Sequence, residues 1–138
     1  MNLLLEIITP EKVVLKDDVD EVIVPTITGE ITILPNHAEL LTRINPGELI
    51  IRKNGKDQSF AILGGFLEVI NNHISVLADY AVRAEDIEIA KVQEAQERAG
   101  QKMKQKATEK DFRVAEAELR KSLLQLKVAR KHKIKYTP

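Results

Sequence analysis

Cysteine and tryptophan are absent from this 138-residue chain, and only three histidines occur. Without cysteine there is no disulfide, no thiol nucleophile and no cysteine metal site. His37, His73 and His132 never stand three or four residues apart, so a zinc site built from several histidines has no support. Aromatic residues make up 4% of the chain, so the core must be assembled from Ile, Val, Leu and Ala. No run approaches the roughly 18 apolar residues of a membrane span. The opening MNLLLEIITPEK lacks a basic leader and its apolar run is too short for a signal peptide. The expectation is a protein kept in a cytosol-like compartment and free to sit on a membrane complex. Sequences of the G-x-S-x-G, phosphate-loop and H-E-x-x-H types are missing too, which argues against hydrolase, nucleotidase and zinc-protease chemistry. Glu85, Asp86 and Glu88 cluster, but carboxylates beside a helix start are ordinary partners of the helix dipole.

What is present falls into two textures. Apolar residues reach 43% and charged residues 30%, the balance of a globular chain. The formal net charge of zero conceals a split. Residues 1–85 hold 13 acidic and 7 basic residues, whereas 86–138 hold 8 acidic and 14 basic. From Arg120 onward seven bases meet no acid. Two parts with different partners are implied.

Residues 1–84 read as short β-branched runs: LLLEIIT, KVVLK, VDEVIV, EITIL, ELIIRK, QSFAIL, GFLEV and HISVLA. Turn signals separate them at Thr28-Gly29, Pro35-Asn36, Asn45-Pro46-Gly47, Asn54-Gly55, Gly64-Gly65 and Asn71-Asn72. This spacing suits an antiparallel sandwich or barrel. Asn54-Gly55 predicts a two-residue type I′ hairpin, because both residues tolerate positive φ. In HISVLAD, Ile74, Val76 and Ala78 share one face while Leu77 lies on the other, as in a sandwich whose outside also meets something.

From Glu85 helix formers dominate, and no Gly or Pro interrupts Glu85–Ala99. Val92, Ala95, Ala99 and Met103 mark one helical stripe. Lys104-Gln105-Lys106-Ala107 reads as the connection. Thr108 is placed to cap a second helix, with Asp111 three residues on. Phe112, Ala115, Leu119, Leu123 and Leu126 predict its apolar stripe, and the tail after Lys131 is expected to be disordered. Two narrow stripes, one of them rich in alanine, can zip together as an antiparallel hairpin with a thin seam.

One stretch, TGEITILPNHAELLT (28–42), marks the sandwich. Pro35 ends its strand by lacking a ladder donor. Asn36 is then expected to cap a short turn, with Glu39 three residues on. His37 is either a turn residue alone or part of an exposed contact surface; catalysis by it lacks any nucleophile or carboxylate pair tied to it by motif.

This stretch, followed by Gly64-Gly65-Phe66, Glu68-Val69, Val76-Leu77-Ala78 and the helical tail, resembles the epsilon subunit of F-type rotary ATP synthases, called delta in mitochondria. The similarity runs the whole chain in order. Its specific pieces include Gly29-Glu30, Ile33-Leu34-Pro35, His37-Ala38, Leu40-Leu41-Thr42 and Pro46-Gly47. The resemblance implies a ten-stranded β-sandwich over 1–84 and a C-terminal two-helix hairpin with a basic tail over 85–138, an α+β chain. It implies a non-catalytic central-stalk subunit beside gamma, on the ring of membrane c subunits and below the alpha/beta catalytic head. Its place would be peripheral, at the cytoplasmic face of the cell inner membrane or the thylakoid equivalent. In many bacterial relatives the hairpin blocks ATP hydrolysis.

For residues, the resemblance implies that Glu30, Pro35, Asn36 and His37 face the c ring. It also implies that Lys110, Arg113, Arg120, Lys121 and Lys127 meet an acidic segment of the beta subunits. Some relatives bind ATP through Ile-Asp-x-x-Arg-Ala at the start of the first helix. Here Ile87 matches, Glu88 and Lys91 keep only the charge, and Val92 departs. Arg98 matches a further family arginine, but Lys121 and Gln125 replace two others, and lysine cannot reproduce arginine's fork. Weak or no ATP binding is expected, and no cofactor. The alternative class, a nucleic-acid module using KVARKHKIKYTP, is disfavoured: Tyr136 is the tail's only aromatic, and acids at 109, 111, 116 and 118 interrupt the basic face.

Overall fold

The computed structural model describes residues 2–104 and 108–136, with side chains to residue 132. The chain divides into two compact units, Met1–Arg83 and Ala84–Pro138.

The first unit is a ten-stranded sheet folded over its own inner face. Its strands are β1 (Leu3–Ile8), β2 (Val13–Val19), β3 (Glu21–Thr26), β4 (Gly29–Ile33), β5 (Leu40–Ile44), β6 (Gly47–Lys53), β7 (Lys56–Ile62), β8 (Gly65–Ile70), β9 (His73–Ala78) and β10 (Ala81–Arg83). Their order is β10-β7-β6-β3-β5-β8-β9-β1-β2, with β4 also on β3. All pairings are antiparallel except that of β1 with β9. Side chains alternate across a strand. Leu3, Leu5 and Ile7 of β1, Val22 and Val24 of β3, and Ile74 and Val76 of β9 therefore share one buried core with Phe60.

Thr26 is the corner of this fold. It pairs with Gly29 of β4 and with Ile44 of β5. Its hydroxyl, buried there, donates to the Gly29 carbonyl at 2.6 Å, so the polar group costs little. At the same end of the sheet, where it pairs with Ile44 from the other side, Gly65 has φ +132, and a Cβ there would stand 2.0 Å from the Leu77 carbonyl. The Gly64-Gly65 pair is thus a close approach of backbones as well as a connection between strands.

Asn54 and Gly55 both take positive φ between the paired Lys53 and Lys56, the type I′ hairpin expected. Eight apolar runs become ten strands. Leu40–Ile44, within the apolar stretch after the loop, and the three-residue Ala81–Arg83 both enter the sheet. VDEVIV proves to be a junction: Val19 ends β2, Glu21 starts β3, and the N–H of Asp20 between them donates to the Arg52 carbonyl.

The second unit starts with a short 3-10 turn, Ala84–Asp86, followed by α1 (Ile89–Lys104) and α2 (Glu109–Tyr136). Residues 85–88 are not α-helical, although neither Gly nor Pro interrupts them; the Glu88 carbonyl accepts the first helical bond, from Val92 N. Thr108 caps α2 as expected, its hydroxyl accepting the Asp111 N–H at 3.2 Å. The connection at 105–107 lies outside the described residues. The helices pack on one another, and α2 also reaches the 3-10 turn, so it runs back along α1. The α2 backbone stays helical beyond Lys131 to Tyr136, where the sequence reading expected disorder.

The buried stripe of α2 differs from the expected one. Ala115, Ser122, Leu126 and Ala129 are buried with Leu119 half-buried, while Phe112 and Leu123 are 42% and 49% exposed. Steps of four, three, four and three keep a stripe straight, whereas 115–119–123 drifts around the helix. Ser122 can occupy the seam because its hydroxyl donates to the Glu118 carbonyl at 2.9 Å.

Candidate functional site

The loop after β4 is a type II turn. His37 N donates to Leu34 O at 3.2 Å, Pro35 holds the first corner, and Asn36, at φ 66, the second. Asn36 is therefore not a helix-like cap reaching toward Glu39. Its N–H points away from the turn and donates to Asn72 Oδ1 at 2.6 Å, and Asn72 Nδ2 donates in return to Asn36 Oδ1 at 3.4 Å. His37 is half-buried, and its Nδ1 stands 2.7 Å from the Ala38 carbonyl. A carbonyl only accepts, so Nδ1 carries the proton. Glu30 is exposed on β4, opposite Pro25. Sequence reasoning missed Asn72; the one signal was the Asn-Asn turn, read only as a turn.

Beside this loop, the outer face of β5-β8-β9-β1 carries two cross-strand rows. One is Leu41–Glu68–Ser75–Glu6. The other is Arg43–Phe66–Leu77–Ile8, continued by Val13 of β2 opposite Ile8 and by Ile27, whose N–H donates to the Arg43 carbonyl. Phe66 and Leu77 are each 50% exposed, and Ile27 and Val13 slightly more. The result is an apolar band across the sheet, interrupted by Arg43. Leu77, expected to face outward onto something, lies in its middle. Lone exposed apolar residues need no explanation, but several neighbouring ones on one face of a sheet mark a contact surface. Above it, His73 Nε2 meets Glu6 Oε1 at 2.7 Å, on the rim of a shallow depression of about 370 Å³ lined by Glu68, Ile70, Asn71, His73 and Ser75.

On the helices, Glu88 and Lys91 pair at 3.2 Å, and Arg98 follows seven residues on, about 10.5 Å along the axis. Ile87, half-buried, precedes the helix. The Lys91 ammonium thus already has a carboxylate partner. Arg113 and Arg120 likewise each hold a Glu four residues earlier, Glu109 and Glu116, both at 2.6 Å. Lys110 and Lys127 are exposed and Lys121 is half-buried. Among the described residues, no three His, Asp or Glu side chains gather as metal ligands would.

Residues 2–84 match the family model for the ATP synthase delta/epsilon chain beta-sandwich domain, and residues 85–130 the model for the long alpha-helix domain of the same chain. The chain belongs to the ATP synthase delta/epsilon family. Among its relatives, the ATP synthase epsilon chain of Chloroflexus aggregans is 46% identical over 135 residues, covering 98% of this chain and 97% of that one. The epsilon chain of Herpetosiphon aurantiacus is 42% identical over 130 residues, covering 94% and 96%. A subunit in a structure of the Euglena gracilis mitochondrial ATP synthase superposes with TM-score 0.73 at 23% identity, covering 96% of this chain and 81% of that chain, so the fold is shared. The delta/epsilon architecture, sandwich then helices, is the one described above. No helix among the described residues is long and apolar enough to cross a membrane.

Proposed function

We propose that this chain is a central-stalk subunit of a rotary ATP synthase, coupling the catalytic head to the c ring. The observation that carries the reading is the apolar band Ile27–Phe66–Leu77–Ile8–Val13 on a rigid sheet. A rotor part must transmit torque without slipping. A preorganised apolar sheet face can bind a long shaft, the gamma subunit, with little ordering cost. The loop Pro35–His37 with Glu30 then meets the polar loops of the c ring. The chain has no catalytic role of its own and stays peripheral, at the cytoplasmic face of the inner membrane or its thylakoid equivalent.

The helical unit acts as the regulator. Lys110, Arg113, Arg120, Lys121 and Lys127 dock on an acidic segment of the beta subunits and restrain hydrolysis. Because Glu109 and Glu116 already hold two of these arginines, the docking is modest and salt-sensitive. The same pairs weigh against a nucleic-acid role. ATP at Ile87, Glu88, Lys91 and Arg98 is expected to bind weakly or not at all; low-micromolar affinity by calorimetry would reverse that statement. The decisive experiment is co-purification with gamma, followed by ATPase assays with the full chain and with a chain ending at residue 85. Failure to bind gamma removes the stalk role. Unchanged hydrolysis on truncation at every salt concentration removes the inhibitory role only.

A further inference from the structure

We propose that Asn72 is the positioning residue of the loop Leu34–His37, through a hydrogen bond that spans 36 residues of sequence. Six residues separate β4 from β5, and the one internal backbone bond of that loop is His37 N to Leu34 O. That bond closes the turn but does not fix its angle to the sheet. The Asn36 N–H does so by donating to Asn72 Oδ1, at 2.6 Å, with the second, longer bond between the two carboxamides opposing rotation.

Asn72 can serve as an anchor because it is itself fixed. It occupies a two-residue turn between the paired Ile70 and His73, with φ 48 at Asn71 and 63 at Asn72. Its carbonyl accepts the Leu4 N–H at 2.8 Å. The loop is thereby tied to β1, β8 and β9 together. Those strands bear the apolar band, so loop and band keep one relative geometry.

A turn residue alone would not need this side chain. Type I′ turns accept glycine as readily as asparagine. The carboxamide is the part glycine lacks, and Asn72→Gly therefore separates turn formation from anchoring. Asn72→Asp keeps an acceptor oxygen at the same reach and serves as the conservative rescue.

The proposal rests on the reading that this loop meets the c ring, and the test has one arm that does not. In the full-length chain, amide exchange of Asn36 is measured by NMR alongside the thermal midpoint. Asn72→Gly is expected to raise the Asn36 exchange rate roughly tenfold, the worth of one hydrogen bond, while the midpoint falls by no more than that one bond accounts for, because the turn itself still forms. Asn72→Asp is expected to restore protection. Asn36 exchange within twofold of the parent in Asn72→Gly, or no rescue by Asn72→Asp, overturns the anchor. In the assembled membrane complex, proton transport per ATP hydrolysed is then compared. A fall in Asn72→Gly with recovery in Asn72→Asp supports both statements. Unaltered coupling with a freed Asn36 upholds the anchor and overturns the ring contact instead.

Discussion

Replacing Phe66 by Ser tests the apolar band directly. Phe66 lies between Arg43 and Leu77 and is half exposed before any partner binds. An aromatic side chain buries about 150–250 Å² in full, so a partner covering it removes about 100 Å² more. At roughly 25 cal/mol per Å² this contributes about 2.5 kcal/mol. Since 1.4 kcal/mol is tenfold in affinity, Phe66→Ser is expected to weaken binding of the gamma subunit about 50-fold. The half already covered by the fold is of similar area, so the fold itself should lose up to about 2.5 kcal/mol by the same coefficient, which urea unfolding reads separately. Leu77→Ser should weaken binding several-fold, and the double variant less than the product of the two, because the residues are in register neighbours. Isothermal titration of the full-length chain with gamma gives the affinity, and urea unfolding gives the stability. A dissociation constant within twofold of the parent, with the variant still folded in the absence of urea, would refute the assignment of this face.

Further expectations follow from other features. Gly65→Ala places a Cβ 2.0 Å from the Leu77 carbonyl at φ +132, so backbone must move; a loss above about 3 kcal/mol in urea unfolding is expected, and under 1 kcal/mol would contradict the geometry. Lys53 hydrogen-bonds Asp17 at 2.7 Å and holds its carboxyl below the ordinary 3.8. A depressed carboxyl contributes stability above its unfolded value and loses it as pH falls through the folded one. Lys53→Met should therefore cost under about 1 kcal/mol at pH 7, both side chains being well exposed, and the gap should close as pH drops below 3.8. Leu126→Ala removes the largest buried side chain of the α2 stripe, at about 2–5 kcal/mol. Hydrogen exchange should rise through α1 and α2 while the strands stay protected; equal loosening of the strands would count against two separable units.

Much of the fold was legible because β-branched alternation and turn chemistry are local signals. Asn54-Gly55 and Thr108 could be placed from a few residues each. Misses came where a distant partner decided the outcome. Leu40–Ile44 is a strand because β8 pairs with it, and Ala81–Arg83 because β7 does. Ser122 entered the helical seam through a bond to its own backbone, which a scan for apolar residues overlooks. At the site, the exposed loop was visible in Pro35-Asn36-His37, but its anchor lay 36 residues away. Arg113 and Arg120 read as available bases, and only the helix geometry shows that Glu109 and Glu116 hold them. The band escaped notice because Ile27, Phe66, Leu77, Ile8 and Val13 come from separate strands, and no window of sequence contains them together.

The parallel seam between β1 and β9 has a consequence for how the protein is made. The first strand synthesised has its ninth as a neighbour, some seventy residues later, so it must wait as the ribosome works. Leu3, Leu5 and Ile7, all destined for the interior, can gain β2 as a neighbour early but β9 only once residues 73–77 have been made. Contacts this far apart along the chain are slow to form. The helical arm is made only after every strand of the sandwich has been synthesised.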